Sequence, residues 1–383
     1  MESRQPLFDL GYCYPEKNRS CLKLLRKTED YVALYIFAGV IIGLTMIGNL
    51  FVVISVSHFK QLHTTTNFLI VSLAMADFLI GVFVMPLEFR TKIETCWYFS
   101  ENVCIFYIIY ACFLNLVSII HLVLISVDRY LAICHPFYYN TKMSETKMWV
   151  AIAFVVWIFV IISWIGPFIY EVLLFYLLLQ VPKYCQNNCK VVLIMLIVAV
   201  DWFLTFILPF SVMICLYGKI FTVAKRHIKT TPCAELQGDS AKQTTAKTSW
   251  KRQNKATKTI GIVISVFVIC WTPNYLCNIM ISFIHIPTIA INAVILLGLF
   301  NSAFNPLIYG FFYPWFWKAF KVIISWHGGF RRIKGLHTDW VVFTEDTEHP
   351  HYVKRHLLNE VIVLFPCFEI GMLAINQAVM CSS

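Results

Sequence analysis

Asp77, Asp128, Arg129 and Asp201 each stand inside or at the end of a long apolar run. An ionisable side chain placed deep in a membrane helix costs about 2.5–3.5 kcal/mol on insertion scales, so residues kept there pair with one another, bind a cation or relay a proton. Asp128 and Arg129 are neighbours of opposite sign, which suits an ion pair that can be opened and closed. Asp201 lies in Val198-Ala199-Val200-Asp201-Trp202-Phe203, with Thr205 one helical turn below on the same face. A carboxylate in that setting suits an ammonium ion, which the rings of Trp202 or Tyr275 would also attract. Asp77, Ser118, Asn301 and Asn305 put oxygen atoms near the middle of three different runs. No nucleophile, base and orienting acid fall together, so an enzyme is not expected.

The elements that carry these residues are membrane helices. The chain is 59% hydrophobic and only 14% charged, whereas a soluble domain is nearer half apolar and a quarter charged. Seven runs reach the length a helix needs to cross a bilayer, at roughly 31–56, 66–89, 103–133, 148–179, 190–224, 256–284 and 286–312. None shows the two-residue alternation of barrel strands. The expected fold is an all-α membrane protein, a seven-transmembrane helix bundle over 31–312. A short amphipathic eighth helix follows over 313–326, where Phe316-Trp317-Lys318-Ala319-Phe320-Lys321 suits the inner membrane face. The tail, 327–383, contains an apolar stretch from Val361 to Met380, but Pro366, Glu369, Asn376 and Gln377 interrupt it, and it is not read as a further span.

Orientation follows from charge. The segment between the fifth and sixth runs holds Lys225, Arg226, Lys229, Lys242, Lys247, Lys251, Arg252, Lys255 and Lys258 against Glu235 and Asp239. Positive loops stay in the cytoplasm, so residues 1–30 are expected outside and the C-terminus inside. Beside a bilayer this basic run reads as orientation, and no nucleic-acid partner is expected. Residues 1–30 lack the apolar run of a cleaved signal peptide, so the first span is expected to serve as an uncleaved insertion signal. Asn18-Arg19-Ser20 is a glycosylation sequon on the outer side.

Each run also carries a short motif. These are Gly48-Asn49, then Leu73-Ala74-Met75-Ala76-Asp77, then Asp128-Arg129-Tyr130, then Trp157, then Pro209 with Tyr217. The sixth has Phe267 and Cys270-Trp271-Thr272-Pro273, and the seventh Asn305-Pro306-Leu307-Ile308-Tyr309. In this order, one set per span, they resemble the rhodopsin-like G-protein-coupled receptors over about residues 31–325. The stretch from Asn301 to Phe316, ending Tyr313-Pro314-Trp315-Phe316, together with Cys96-Trp97-Tyr98-Phe99, is similar to the trace amine-associated receptors. Serotonin receptors share much of this pattern but not the whole seventh stretch.

The resemblance implies a chemosensory receptor at the plasma membrane. An amine bound from outside would activate a heterotrimeric G protein, of the stimulatory type, and raise cAMP. It implies that Arg129, held by Asp128, is released on activation to meet Tyr217, Tyr309 and the G protein. The foot of the sixth span, Lys251-Arg252-Gln253-Asn254-Lys255, has no acid, so no salt bridge from there to Arg129 is expected. The resemblance implies an allosteric sodium ion among Asp77, Ser118, Asn301 and Asn305, the alternative being a hydrogen-bonded polar knot without an ion. It implies disulfides Cys104–Cys189 and Cys21–Cys185, which leaves Cys13 and Cys96 unassigned. Pro273 removes a backbone hydrogen bond and lets the inner part of the sixth helix swing, with Trp271 beneath the outer cavity as the contact that biases it.

At the ligand site the chain departs from its likeness. Receptors for biogenic amines place an aspartate 18 residues before the arginine of Asp-Arg-Tyr, where this chain has Ala111. Ten and seven residues before Pro306 stand Leu296 and Leu299, in place of the usual Trp and Tyr. Asp201 stands eight residues before Pro209, about 12 Å along the axis, and some fish members resemble this shift of the acid to the fifth helix. The expected ligand site is Asp201, Thr205, Ala111, Trp271, Tyr275 and Leu299, with Asp201 as the one acid deep in the outer half. A plainer alternative is a buried Asp201 bonded to a neighbouring helix. Glu88 and Arg90 are expected to pair or to snorkel, with Glu88 a second choice for an ammonium group. A serotonin-like neuromodulatory receptor is the nearest other reading, and Ala111 counts against it. A transporter or channel would show inverted repeats or broken helices at the midplane, and an opsin would need a lysine in the seventh helix.

Overall fold

The computed structural model describes residues 9–16, 20–59, 62–135, 161–174, 176, 195–230, 240–281, 283–312 and 316. Asn18, Trp157, Cys185, Cys189, the tail and, except for Phe316, the expected eighth helix lie outside the described residues.

Seven helices appear in chain order: α1 Thr28–His58, α2 Thr65–Glu94, α3 Glu101–Cys134, α4 Ile161–Leu174, α5 Ala199–Lys225, α6 Ser240–Met280 and α7 Thr288–Phe312. Six of them are long and apolar enough to cross a membrane, and the described part of α4 is shorter. Their starts are capped as the residues dictate. The Thr64 side chain accepts from the Asn67 N–H at 3.3 Å, and Ser100 from the Val103 N–H at 3.5 Å. The sixth helix begins at Ser240, within what the charge pattern marks as a loop. Ala, Lys, Gln and Arg, all strong helix formers, let it continue in water beyond the bilayer.

Two prolines set the shape of α2 and α5. Each lacks the N–H that would bond four residues back, and each is preceded by one wide turn with i→i+5 bonding, Ile80–Val84 before Pro86 and Phe203–Ile207 before Pro209. The second of these turns begins two residues after Asp201 and contains the buried Thr205.

The bundle has an inner and an outer apolar core. Leu73, Ile119, Leu122, Ile125, Met213 and Phe267 pack the inner one. Val84, Met85, Leu114, Val117 and Leu299 pack the outer one. Gly48 lets α1 and α7 touch: a Cβ there would lie 2.7 Å from the Cβ of Pro306. The next side chain fixes the contact, as the Asn49 amide donates to the carbonyls of Thr45 and Ser302, both at 2.9 Å. Gly48→Val is expected to overpack this seam by about 1–3 kcal/mol. Surface staining and thermal-shift measurements should both report the loss, and wild-type values would refute the contact.

Outside the bundle, β1 (Asp9–Tyr12) and β2 (Leu22–Leu25) pair antiparallel, with Asp9 opposite Leu25 and Tyr12 opposite Leu22. Cys13, which had no assigned partner, is joined to Cys96 with Cα atoms 5.8 Å apart. The hairpin is also tied by charge and hydrogen bonds. Lys23 Nζ lies 3.0 Å from Glu94 Oε2 and 3.0 Å from the Tyr98 hydroxyl, and Arg26 donates to the Ile93 carbonyl. The Tyr98 hydroxyl and then Glu94 hold the Lys23 ammonium above the ordinary lysine range, so this tie persists at neutral pH and is lost either as pH rises beyond that range or as acid protonates Glu94. Thr95 ends α2 at φ 58°, an uncommon conformation for a β-branched residue, and its hydroxyl accepts from the Leu24 N–H at 2.9 Å.

Candidate functional site

The outer site is assembled from α4, α5 and α6. Asp201 Oδ1 accepts from the Tyr170 hydroxyl at 2.8 Å, so the plainer alternative of a bond to a neighbouring helix is partly realised. Its second oxygen accepts no hydrogen bond among the described residues. Thr205 donates to the Asp201 backbone carbonyl at 2.8 Å, and its hydroxyl lies 3.4 Å from that of Tyr275. Trp202 stacks on Phe206 with ring centroids 6.0 Å apart, and Phe206 stacks on Tyr275 at 4.3 Å. The indole N–H of Trp202 is buried with no partner among the described residues.

Ala111, Leu296 and Leu299 fall together in the outer apolar core. The place where an amine anchor is usual is therefore hydrocarbon, and the polar end of the site sits against α5. A second set of aromatic contacts leads inward, from Phe206 to Phe210 at 4.3 Å, Phe210 to Phe267 at 5.6 Å and Phe267 to Trp271 at 6.1 Å. Phe206 was not among the expected site residues, although its spacing of four from Trp202 is a stacking signal. On the outer side of α3 and α4 an apolar recess of about 360 Å³ is lined by Leu116, Ile120, Pro167 and Tyr170 among others, so Tyr170 separates it from Asp201.

Two expectations require correction. Asp201 is not the one acid in the outer half: Glu171, on α4 and next in the chain to Tyr170, is only 6% exposed. Glu88 pairs with Lys92 at 3.2 Å, one turn along its own helix, and not with Arg90. Arg90 lies over the rings of Phe99 and Tyr98, at 4.7 and 5.9 Å, where it is held by cation–π attraction.

Deeper in the bundle, Asp77 is fully buried and accepts from Ser302 Oγ and from Asn305 Nδ2, each at 2.7 Å. Ser302 was not expected here, while Ser118 donates to the Leu114 carbonyl of its own helix at 3.1 Å. The side-chain carbonyl oxygens of Asn49, Asn301 and Asn305 are buried without a donor among the described residues. Buried acceptors left in that state are costly, and carboxylate and amide oxygens are the donors that a small hard cation takes.

At the other end of the bundle from Asp201, Asp128 and Arg129 are both buried. Arg129 Nη2 and Nε reach Asp128 Oδ2 at 2.6 and 3.0 Å. The Thr66 hydroxyl of α2 donates to the same oxygen at 2.6 Å, and Arg129 also contacts that hydroxyl. The acid–arginine pair is thus as expected, with Thr66 as an added holder. Tyr130 packs edge-on to His135 at 5.5 Å, Tyr217 lies against Gly261 of α6, and Tyr309 is buried in the inner core. Among the described residues of α4, the Trp164 indole reaches the bundle and donates to Ser72 at 2.9 Å.

Cys21 and Cys104 are both disulfide-bonded, to partners outside the described residues. Non-reducing peptide mapping is expected to return Cys13–Cys96 together with one bridge from each of Cys21 and Cys104. Recovery of Cys13 joined to Cys21 would contradict the structure.

Seven helices with a buried Asp-Arg pair at one end and a polar pocket at the other define a receptor of the seven-helix class. Residues 48–309 match the family described as 7 transmembrane receptor (rhodopsin family), whose members are receptors rather than enzymes. The chain is 36% identical over 324 residues to trace amine-associated receptor 13c of Danio rerio, covering 82% of this chain and 92% of that one. It is 36% identical over 326 residues to trace amine-associated receptor 1 of Homo sapiens, covering 82% and 94%. For trace amine-associated receptor 4 of Mus musculus the figures are 37% over 327 residues, covering 83% and 92%. The chain belongs to the trace amine-associated receptors.

Proposed function

We propose that this receptor takes a small amine from outside at Asp201 and activates a heterotrimeric G protein of the stimulatory type through the Arg129 end. The observation that carries this reading is Asp201 itself. It is a half-buried carboxylate with one oxygen free of hydrogen bonds among the described residues, beside Trp202 in the chain and one turn from Thr205, whose hydroxyl lies 3.4 Å from that of Tyr275, and no basic side chain pairs with it among the described residues. The bound amine points its apolar end toward Ala111 and Leu299, the reverse of an amine anchored on α3. Its signal is chemosensory, at the plasma membrane, with the N-terminus outside, Asn18 glycosylated and the C-terminus inside. The bridges of Cys21 and Cys104 run to Cys185 and Cys189. When a sodium ion is bound, Asp77, Asn301, Asn305 and Ser118 supply its oxygens and it favours the resting arrangement. A serotonin-like modulatory role is the second reading, and the absence of an acid at Ala111 weighs against it.

A cAMP reporter in cells expressing the full chain, challenged with a panel of primary to tertiary amines, tests the reading. A concentration-dependent rise with at least one amine is expected. Activation by neutral or anionic compounds alone would overturn it.

A further inference from the structure

We infer that the outward-facing recess between α3 and α4 is a binding site for a membrane sterol, and that the bound sterol acts on the amine site through Tyr170. The second half rests on the reading of Asp201 as the amine anchor, and the first does not.

The recess is built by helical spacing. Leu116, Ile120 and Leu124 form one ridge of α3, each four residues from the next, and Ile162, Gly166 and Tyr170 repeat the step on α4. Eight residues make a furrow about 12 Å long. Its volume of about 360 Å³ falls inside the range of small-molecule sites. Gly166 opens it, since a Cβ built there would have nothing within 4 Å. Ile162 is 59% exposed, so the furrow faces out of the bundle, where a membrane receptor meets lipid.

The polar side chains along the furrow are engaged. Ser163 Oγ lies 3.4 Å from His121 Nε2, and the Tyr170 hydroxyl donates to Asp201 at 2.8 Å. What remains is hydrocarbon, so the occupant is apolar. Lipid tails are as apolar as the furrow, so no hydrophobic force drives a ligand in, and van der Waals packing must hold it. A fused-ring sterol has few torsions to freeze when it packs, whereas an acyl chain loses freedom at every bond. The recess thus selects the rigid component of the bilayer over the flexible one. Tyr170 lines the recess on one side and holds Asp201 on the other. A sterol packed against it restricts its rotation and fixes the carboxylate, which pre-organises the anchor for an ammonium ion.

The test uses purified full-length receptor in phosphatidylcholine nanodiscs with a photoactivatable cholesterol analogue, and labelled peptides are mapped by mass spectrometry. Labels are expected within 116–124 and 162–170, and excess cholesterol should remove them. Gly166→Leu should fill the furrow and cut labelling about tenfold. Gly39→Leu, at an α1 glycine whose surroundings are equally open, should leave it unchanged. Labelling that falls elsewhere, or that survives Gly166→Leu, would overturn the site. Equal labelling by a phosphatidylcholine with the photoactive group in its acyl chain would overturn the sterol in favour of a lipid tail. For the coupling, amine-dependent thermal stabilisation should need about threefold less amine when the nanodiscs contain cholesterol. Tyr170→Phe keeps the ring, so it should keep the labelling and lose this difference. A difference that persists in Tyr170→Phe, or is absent from wild type, would overturn the coupling. A failure of the Asp201 reading looks different, because Asp201→Asn would then leave the amine curves where they were with sterol labelling intact.

Discussion

Replacing Asp201 with Asn is expected to lower the potency of an activating amine about a hundredfold or more, with surface expression unchanged. Removing one partner of a buried ion pair costs about 3–5 kcal/mol, because the other charge is left in a medium that solvates it poorly. Asn keeps the shape and accepts the Tyr170 hydroxyl through its carbonyl oxygen, so the fold should tolerate the change and only the charge is lost. Glu88→Gln is the matched control. Its carboxylate is engaged by Lys92 at 3.2 Å, and its loss should leave potency within about threefold, the ordinary scale of a partly exposed pair. Equal potency in wild type and Asp201→Asn would remove Asp201 as the anchor, and a selective loss in Glu88→Gln would move the site to the outer end of α2.

Arg129→Ala is expected to abolish agonist-driven cAMP while leaving amine binding and surface expression in place. Asp128 Oδ2 collects Arg129 and the Thr66 hydroxyl together. Among the described residues the guanidinium is thus held by a charge on its own helix and a hydroxyl on α2. Its side chain lies near the C-terminal end of α3, which ends at Cys134, away from Asp201. A thermal-stabilisation curve for the amine should therefore be unchanged in the variant while the cAMP response is flat. A full response from Arg129→Ala would show that the exchange signal leaves the receptor by another residue.

The sequence makes visible whatever lipid makes costly. Asp77, Asp128, Arg129 and Asp201 stand out because each interrupts an apolar run, and all four prove to be bonded to another side chain. Facing direction is much harder to read. In water, a helix shows which side is buried by its polar face. In lipid, the outward residues of α4 are as apolar as the inward ones, so Glu171 and Tyr170 carry no phase signal. Trp164 illustrates the same loss: only the bond from its indole to Ser72 shows which way it faces. Ser302 and Thr66 were hidden for another reason: a hydroxyl is cheap in a helix because it can bond to its own backbone, so it does not announce a distant partner. The bridge from Cys13 to Cys96 joins residues 83 apart in sequence, and no local pattern encodes which cysteines meet.

The length of α6 bears on how far a small event travels. Pro273 lies near the outer end of a helix that runs unbroken from Ser240 to Met280. At about 1.5 Å per residue the arm from Pro273 to Ser240 is roughly 50 Å long. A tilt of about 10° about the proline would then displace the far tip by roughly 9 Å, but the level of Thr257 by only about 4 Å. Side chains next to Trp271 need move little more than the width of a bond. The receptor is geared: motion at the ligand end is fine, and at the far end of α6 it is as wide as another protein's helix.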